Sequence, residues 1–213
     1  MGSKTVVFDL DDTLTSEIDF LKSAYKEIAI KLDEKNASLY SEMLNWYFKG
    51  ENVFQRLVDI YSVCLSDLLL MYRTHLPNLT CDEDTKWVLT KLKKEGYQLG
   101  IITDGRSITQ RNKLKALGLI HFFNDLIISE EFGSEKMNPN NFMFFHKNKS
   151  DQYYYIGDNP KKDFINPNKL GWITICLLDK GENIHKQNFN LPRDFLPLYT
   201  IENIRELFKI ITI

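Results

Sequence analysis

Five short apolar runs recur along the chain, and most of them show no alternation of apolar and polar positions. Continuous apolar runs of this length are typical of strands buried on both faces of a parallel sheet. The segments between the later runs carry helical spacing and helix stop signals, such as Gly96 and Gly118. The pattern therefore predicts an α/β fold, with a Rossmann-like parallel sheet and helices on both faces. The five runs are residues 6–10, 99–103, 126–129, 153–156 and 172–178.

Residues 15–79 interrupt this alternation, because their apolar positions recur at intervals of three and four residues. The pattern begins at Ile18 and Leu21 and is that of amphipathic helices. We therefore predict an inserted all-helical cap over residues 15–79 and a catalytic core domain of residues 1–14 and 80–213. An insertion placed after the first strand can lie over the strand ends as a lid.

Composition and charge narrow the classes of partner. A chain of 213 residues can bury one core that carries a smaller inserted unit. The formal net charge is −2 and no long run of one sign occurs, which argues against a nucleic acid polymer as partner. The three cysteines form no C-x-x-C motif, so neither a disulfide framework nor a zinc site is expected. With no secretory signal pattern and no apolar stretch of about 18 residues, the sequence predicts a cytoplasmic protein without membrane contact and leaves the oligomeric state open.

Polar side chains with catalytic potential follow four of the apolar runs. In open α/β sheets, ligands bind at the carboxyl ends of the strands, so these positions are candidates for one common site. Asp9 and Asp11 are two residues apart, and the alternation of side chains along a strand would direct both carboxylates to the same side. Such a pair can divide labour, since one carboxylate attacks and the other moves protons. The candidates are Asp9, Asp11, Thr103, Asp104, Gly105, Lys136, Asp158 and Asp163.

The acidic candidates require a cation. Asp9, Asp11, Asp158 and Asp163, gathered at one sheet edge, would repel one another and any anionic substrate. Because the donors are oxygens without neighbouring histidine or cysteine, Mg²⁺ is favoured over zinc or copper.

The remaining candidates suit a phosphoryl group. Thr103 offers a hydroxyl, and the backbone amides of Asp104 and Gly105 lie near the start of a predicted helix. Lys136 adds the positive charge that a phosphoryl group requires. The expected ligand is therefore a phosphate ester.

Together these residues resemble the four motifs of the haloacid dehalogenase (HAD) superfamily of hydrolases. The helical insertion between the first two motifs is similar to the C1 cap of the first subfamily. The stretch from Gly157 to Trp172 is similar to that of the phosphatase members. The matching motifs are Asp9-x-Asp11-x-Thr13, Thr103, Lys136 and Gly157-Asp158-x-x-x-x-Asp163.

The lysine motif departs from the family pattern. The family's lysine is commonly followed directly by proline, whereas here Pro139 comes three residues after Lys136. Lys147 and Lys149 are therefore alternatives for this motif, although both lie nearer to the next strand.

The resemblance implies a role for each motif residue. Asp9 would attack phosphorus and form an aspartyl-phosphate, while Asp11 would protonate the leaving alcohol and then activate the water that hydrolyses the intermediate. Thr103 and Lys136 would hold the phosphoryl oxygens, with Lys136 also balancing the charge of Asp9. Thr13 would steady the first loop.

The same resemblance implies a Mg²⁺ site. The ion would be bound by the carboxylate of Asp9, the backbone carbonyl of Asp11 and the carboxylate of Asp158. Asp163 would support this set through water or through Lys136.

The carboxyl group of Asp11 discriminates among functions within the superfamily. An acid at this position suits an alkoxide leaving group, so the sequence predicts a Mg²⁺-dependent phosphatase that acts on a small phosphomonoester metabolite. A phosphomutase of the same superfamily would share every motif and is one alternative. A non-catalytic protein of the same fold that binds a phosphorylated ligand is another. Specificity should come from the cap, where Lys49, Asn52 and Arg56 are candidate contacts unless they only form a solvated face.

Overall fold

A computed structural model describes residues 3–211, and its centre is a parallel sheet of six strands. The strands are β1 (Lys4–Phe8), β2 (Gln98–Thr103), β3 (Asp125–Ile128), β4 (Gln152–Gly157), β5 (Ile173–Leu177) and β6 (Tyr199–Ile201). Their order across the sheet is β3-β2-β1-β4-β5-β6, so β1 is central and pairs with β2 on one side and β4 on the other. The predicted α/β fold with a parallel sheet is thus confirmed.

Nine α-helices lie within the described residues. They are α1 (Glu17–Leu32), α2 (Leu39–Phe48), α3 (Val53–Tyr61), α4 (Leu65–Thr74), α5 (Glu83–Lys94), α6 (Ser107–Ala116), α7 (Ser129–Phe132), α8 (Asn140–Met143) and α9 (Ile165–Lys169). Short 3₁₀ segments cover Ile120–Phe122, Phe144–Asn148, Arg193–Phe195 and Ile204–Lys209. Within residues 3–211, no helix combines the length and the apolar character needed to cross a bilayer.

Consecutive residues of β1 enter opposite layers of the core. Val6 and Phe8 are buried in a cluster on one face of the sheet, whereas Val7 is buried on the other face with Tyr155 and Trp172. Because both faces are covered, the strand carries no polar alternation.

Helices α1 to α4 pack around an apolar cluster of their own, which we call the cap cluster. Met43 and Leu57 are fully buried in it. One residue from the segment after β5, Ile184, also packs against it. The insertion therefore has a small core of its own, distinct from the two apolar clusters on the faces of the sheet. The exact domain boundaries stay a prediction.

The first strand ends earlier than the apolar run indicates. β1 stops at Phe8, and Asp12 then adopts a left-handed conformation with a φ of 53°. The amide of Asp12 donates to the Thr15 carbonyl at 2.6 Å, which closes a tight turn. The alternation argument that placed Asp9 and Asp11 on one side of a strand therefore does not apply to Asp11, whose direction is set by the turn.

Candidate active site

Asp9 is the first residue after β1 and lies where the central strands end. Phe8 pairs with Ile156 of β4, and the amide of Asp9 donates to the Ile156 carbonyl at 2.8 Å. The Asp9 Oδ1 atom accepts the amide of Leu10 at 2.7 Å, and the residue is only 3% exposed. This register brings the chain after β4, which contains Asp158, alongside Asp9.

Lys136 is fully buried beside Asp9. Its Nζ atom lies 2.6 Å from Asp9 Oδ2 and 2.9 Å from Asp163 Oδ1. Its amide donates to Asp104 Oδ1 at 3.0 Å, and its carbonyl accepts Asn166 Nδ2 at 2.8 Å, so the surrounding loop is fixed at both ends of the residue. Burial alone would lower the pKa of Lys136, but Asp163 and Asp9 raise it well above its ordinary value, and the ammonium stays charged.

The two alternative lysines lie elsewhere. Lys147 is half exposed and pairs with Asp125 at 2.7 Å. Lys149 ends a 3₁₀ segment in a left-handed conformation. The geometry therefore selects Lys136 as the lysine beside Asp9.

Asp163 braces the loop after β4. Its Oδ2 atom accepts the amides of Asp158 at 3.1 Å and Asn159 at 2.8 Å, while its Oδ1 atom receives Lys136. A Cβ atom on Gly157 would lie 2.5 Å from Asp163 Oδ2, so glycine is needed for this approach.

The acidic side chains form a site that fits a cation. Carboxylate oxygens of Asp9, Asp158 and Asp163 lie within 4.8 Å of one another. Burial, followed by repulsion from Asp163 and Asp9, raises the pKa of Asp158 to about 9. Burial also raises the pKa of Asp9 to about 6, with Lys136 opposing this rise and Asp163 adding to it. A hard divalent cation would relieve this repulsion, and the all-oxygen donor set suits one.

The three carboxylates differ in the number of hydrogen bonds that they accept from the protein. Asp163 receives Lys136 and two backbone amides, so it acts as a brace. Asp9 and Asp158 accept fewer hydrogen bonds from the protein, which suits the role of direct ligands that was predicted for them. The part assigned to the Asp11 carbonyl stays a prediction.

The carboxylate of Asp11 is held by two residues that the sequence analysis missed. Lys113 Nζ lies 2.5 Å from Asp11 Oδ1, and Gln110 Nε2 lies 2.8 Å from Asp11 Oδ2. The same Gln110 nitrogen lies 2.6 Å from Thr103 Oγ1. Burial would raise the pKa of Asp11, but Lys113 and Gln110 lower it below its ordinary value. Both residues lie on α6 and are buried. The feature of the sequence that could have identified them is their spacing, since polar residues three positions apart lie on the same face of a helix.

The structure places some of the predicted phosphoryl-binding groups at the cavity and others away from it. Thr103 and Asp104 line the cavity beside Asp9. The amide of Gly105 instead donates to Ser129 Oγ at 2.9 Å. The hydroxyl of Thr13 is buried, and within residues 3–211 it has no hydrogen-bond partner. The phosphoryl and supporting roles of these residues stay predictions.

The cavity at this site is small, with a volume of about 20 Å³. That is about enough for one water molecule, so a larger ligand can enter only if the residues that close the cavity move. Glu17 of α1 and His185 of the segment after β5 close the cavity, with Glu17 Oε2 and His185 Nε2 3.9 Å apart. Its lining comprises Asp9, Asp11, Asp12, Glu17, Thr103, Asp104, Asp158, Asn159, Lys162 and His185.

Two of the cap residues named as specificity candidates, Arg56 and Asn52, have partners within the cap. Arg56 pairs with Glu51 and lies over the Trp46 ring at 5.1 Å. Asn52 caps α3 by accepting the amide of Gln55 at 3.1 Å. The cap side chain that borders the cavity is instead Glu17.

Comparison with known proteins finds relatives over nearly the whole chain. A family model described as haloacid dehalogenase-like hydrolase matches residues 6–176. The chain is 30% identical to a glyceraldehyde 3-phosphate phosphatase of Methanocaldococcus jannaschii, over 98% of this chain and 96% of that protein. It is 36% identical to an N-acylneuraminate-9-phosphatase of Rattus norvegicus, over 67% of each.

Solved structures share the fold at lower sequence identity. The HAD-hydrolase YfnB of Bacillus subtilis, in a magnesium-bound form, superposes with a TM-score of 0.65 at 21% identity, covering 100% of both chains. A HAD phosphatase from Thermococcus onnurineus gives a TM-score of 0.61 at 22% identity, covering 97% of both chains.

Proposed function

The chain belongs to the haloacid dehalogenase-like hydrolase family, and we propose that it is a Mg²⁺-dependent phosphatase that hydrolyses a small phosphomonoester through an aspartyl-phosphate. The observation that carries the proposal is the approach of Asp9, Asp158 and Lys136 at the carboxyl end of the central strands. Asp9 is a buried carboxylate between the ammonium of Lys136 and Asp158, which could share a bound cation with it. A nucleophile that attacks phosphorus needs such surroundings.

The proposed Mg²⁺ would be held by Asp9, Asp158 and the carbonyl of Asp11. When bound, the ion offsets the negative charge of the carboxylates and of the phosphoryl group, and it orients that group. Among the residues of the chain, Lys136 and Thr103 would then hold phosphoryl oxygens.

The first chemical step is attack on phosphorus. A carboxylate oxygen of Asp9 forms a bond to phosphorus while the ester bond from phosphorus to the leaving oxygen breaks. Asp11 donates a proton to that oxygen, and an alcohol departs. Lys113 and Gln110 favour the ionised form of Asp11, so Asp11 must take up a proton before this step. The chain is left with an aspartyl-phosphate at Asp9 and a carboxylate at Asp11.

The second step restores the enzyme. Asp11 takes a proton from a water molecule whose oxygen attacks phosphorus, and the bond from phosphorus to Asp9 breaks. Inorganic phosphate leaves, Asp9 is again a carboxylate, and Asp11 is again protonated.

The names of the relatives support the proposed substrate class. The phosphatases of Methanocaldococcus jannaschii and Rattus norvegicus carry the names of small phosphorylated metabolites. Glyceraldehyde 3-phosphate is accordingly the first substrate to test on this protein, since the relative that carries its name matches over nearly the whole chain.

The proposal is tested by measuring inorganic phosphate release from p-nitrophenyl phosphate and from glyceraldehyde 3-phosphate. We expect release with Mg²⁺, none with a chelator, and a loss of about 10³-fold or more in Asp9→Asn. A phosphomutase would convert a sugar phosphate without net phosphate release. Full turnover by Asp9→Asn, or no release from any phosphomonoester, would contradict the proposal.

A further inference from the structure

The segment after β5 contacts Asp158 twice. Asn183 Nδ2 donates to Asp158 Oδ2 at 3.0 Å, and Gln187 Nε2 donates to the Asp158 carbonyl at 2.7 Å. Asp158 is only 4% exposed. One oxygen of the proposed metal ligand is therefore tied to a neutral amide, which adds no charge to the acidic cluster.

This segment, residues 179–187, is internally fixed and is called here the β5 loop. Asp179 Oδ1 accepts the amides of Gly181 at 2.7 Å, Glu182 at 2.9 Å and Asn183 at 3.0 Å. The amide of Asp179 donates to Gln187 Oε1 at 3.0 Å, which joins the two ends of the loop. Gly181 has a φ of 94°, a conformation that glycine adopts without strain. The loop therefore presents Asn183 in a set position.

The other side of the β5 loop contacts the cap. Ile184, next to Asn183, packs against the cap cluster. His185 follows and lies near Glu17 at the cavity. Three consecutive residues thus touch the acidic cluster, the cap cluster and the cavity rim.

We propose that Asn183 is a positioning residue that orients Asp158 for Mg²⁺, an inference that rests on the proposed function. A carboxylate can rotate about its bond to Cβ, and each rotation changes the direction of its lone pairs. The bond from Asn183 to Oδ2 restricts that rotation and so limits the directions in which the carboxylate can meet an ion. Hydrogen bonds that orient a ligand in this way typically change metal affinity when they are removed.

The test is a calorimetric titration of the metal-free protein with MgCl₂. Asn183→Ala and Asn183→Leu should each raise the Kd for Mg²⁺ by about 10-fold to 100-fold. Asn190→Ala, which changes an exposed asparagine of the same region, should bind as the wild type does. Asp158→Asn should bind Mg²⁺ most weakly of all.

The thermal midpoint of the metal-free variants separates positioning from folding. A positioning role predicts weaker Mg²⁺ binding with little change in the metal-free midpoint. Equal Mg²⁺ affinity in the wild type and in both Asn183 variants overturns this inference alone, as does a lowered metal-free midpoint with unchanged affinity. A wild-type protein that binds no Mg²⁺ overturns the proposed function together with it.

Discussion

Gly157 permits the close approach of the Asp163 carboxylate to the backbone. We predict that Gly157→Ala displaces this carboxylate, because the new Cβ atom would lie 2.5 Å from Oδ2. The amides of Asp158 and Asn159 would then lose their acceptor. A shift of this kind near the reacting atoms should lower kcat/KM by about 10²-fold, measured with p-nitrophenyl phosphate. An unchanged kcat/KM would show that the brace is not needed.

The side chain of Gln110 joins Asp11 to Thr103. We predict that Gln110→Leu lowers kcat/KM by about 10-fold or more, because part of the gain from general acid–base catalysis depends on how Asp11 is aimed. Leaving Thr103 and Asp11 without this donor should also lower the free energy of unfolding by about 1–3 kcal/mol. Steady-state kinetics and urea unfolding measure the two effects. Gln55→Leu, on the exposed face of α3, is the matched control and should change neither.

At the residue scale, the sequence located the groups that follow strands and missed those on helices. Asp9 and Asp158 were predictable, because an acid directly after an apolar strand run marks a sheet edge. Gln110 and Lys113 were not, since a polar residue on a helix is ordinarily expected to face solvent. The sequence identified Asp11 as a site candidate. It did not predict the left-handed turn at Asp12, which sets the direction of the Asp11 side chain.

At the element scale, the cap cluster and the sheet layers are separate bodies of packing. We predict that Met43→Ala lowers the free energy of unfolding by about 2–5 kcal/mol, because the residue is fully buried and its removal leaves a cavity. Amides of α1 to α4 should then exchange hydrogen faster while those of β1 and β4 keep their protection at short times. Hydrogen exchange followed by mass spectrometry measures the exchange rates of both sets of amides. Equal acceleration in the strands would mean that the cap and the sheet open as one unit.

The helical insertion and the five apolar strands were predictable, whereas the shortest strand and the loop after β5 were not. The spacing of apolar residues located the helical insertion, whose four helices have nine to sixteen residues. β6 has only three residues, too few to form an apolar run. The β5 loop reads in the sequence as turn-forming residues alone, because its bonds to Asp158 join residues that are distant along the chain.

At the scale of the whole molecule, the acidic cluster links stability to pH and to Mg²⁺. Without metal, Asp158 has a pKa of about 9 and Asp9 of about 6, both above the ordinary 3.8. The folded protein therefore keeps protons that the unfolded chain has released, so its free energy of unfolding falls as pH rises from about 4 to about 9. Mg²⁺ binds the ionised carboxylates, and its stabilising effect should grow over the same interval.

This linkage is measured by thermal unfolding at about pH 5 and about pH 8.5, with a chelator and with Mg²⁺. The gap between the two midpoints should widen at the higher pH. A gap that is equal or narrower there would contradict the assignment of Asp9 and Asp158 to a common cation.

The parallel sheet could be predicted from the apolar runs, but the strand order could not, because pairings between distant strands leave no local signal. The order places β1 between β2 and β4. That adjacency, rather than any single motif, brings Asp9 and Asp158 together.

The central claim is that Asp9 carries the phosphoryl group during turnover. The most direct measurement uses Asp11→Asn, in which the hydrolysis of the intermediate should be slow, while p-nitrophenyl phosphate needs no proton from position 11 to react. After mixing with Mg²⁺ and an acid quench, borohydride reduces an aspartyl-phosphate to homoserine, which peptide mass spectrometry locates. We predict homoserine at position 9. Homoserine at another aspartate, or phosphate release with no reduced residue, would contradict the account.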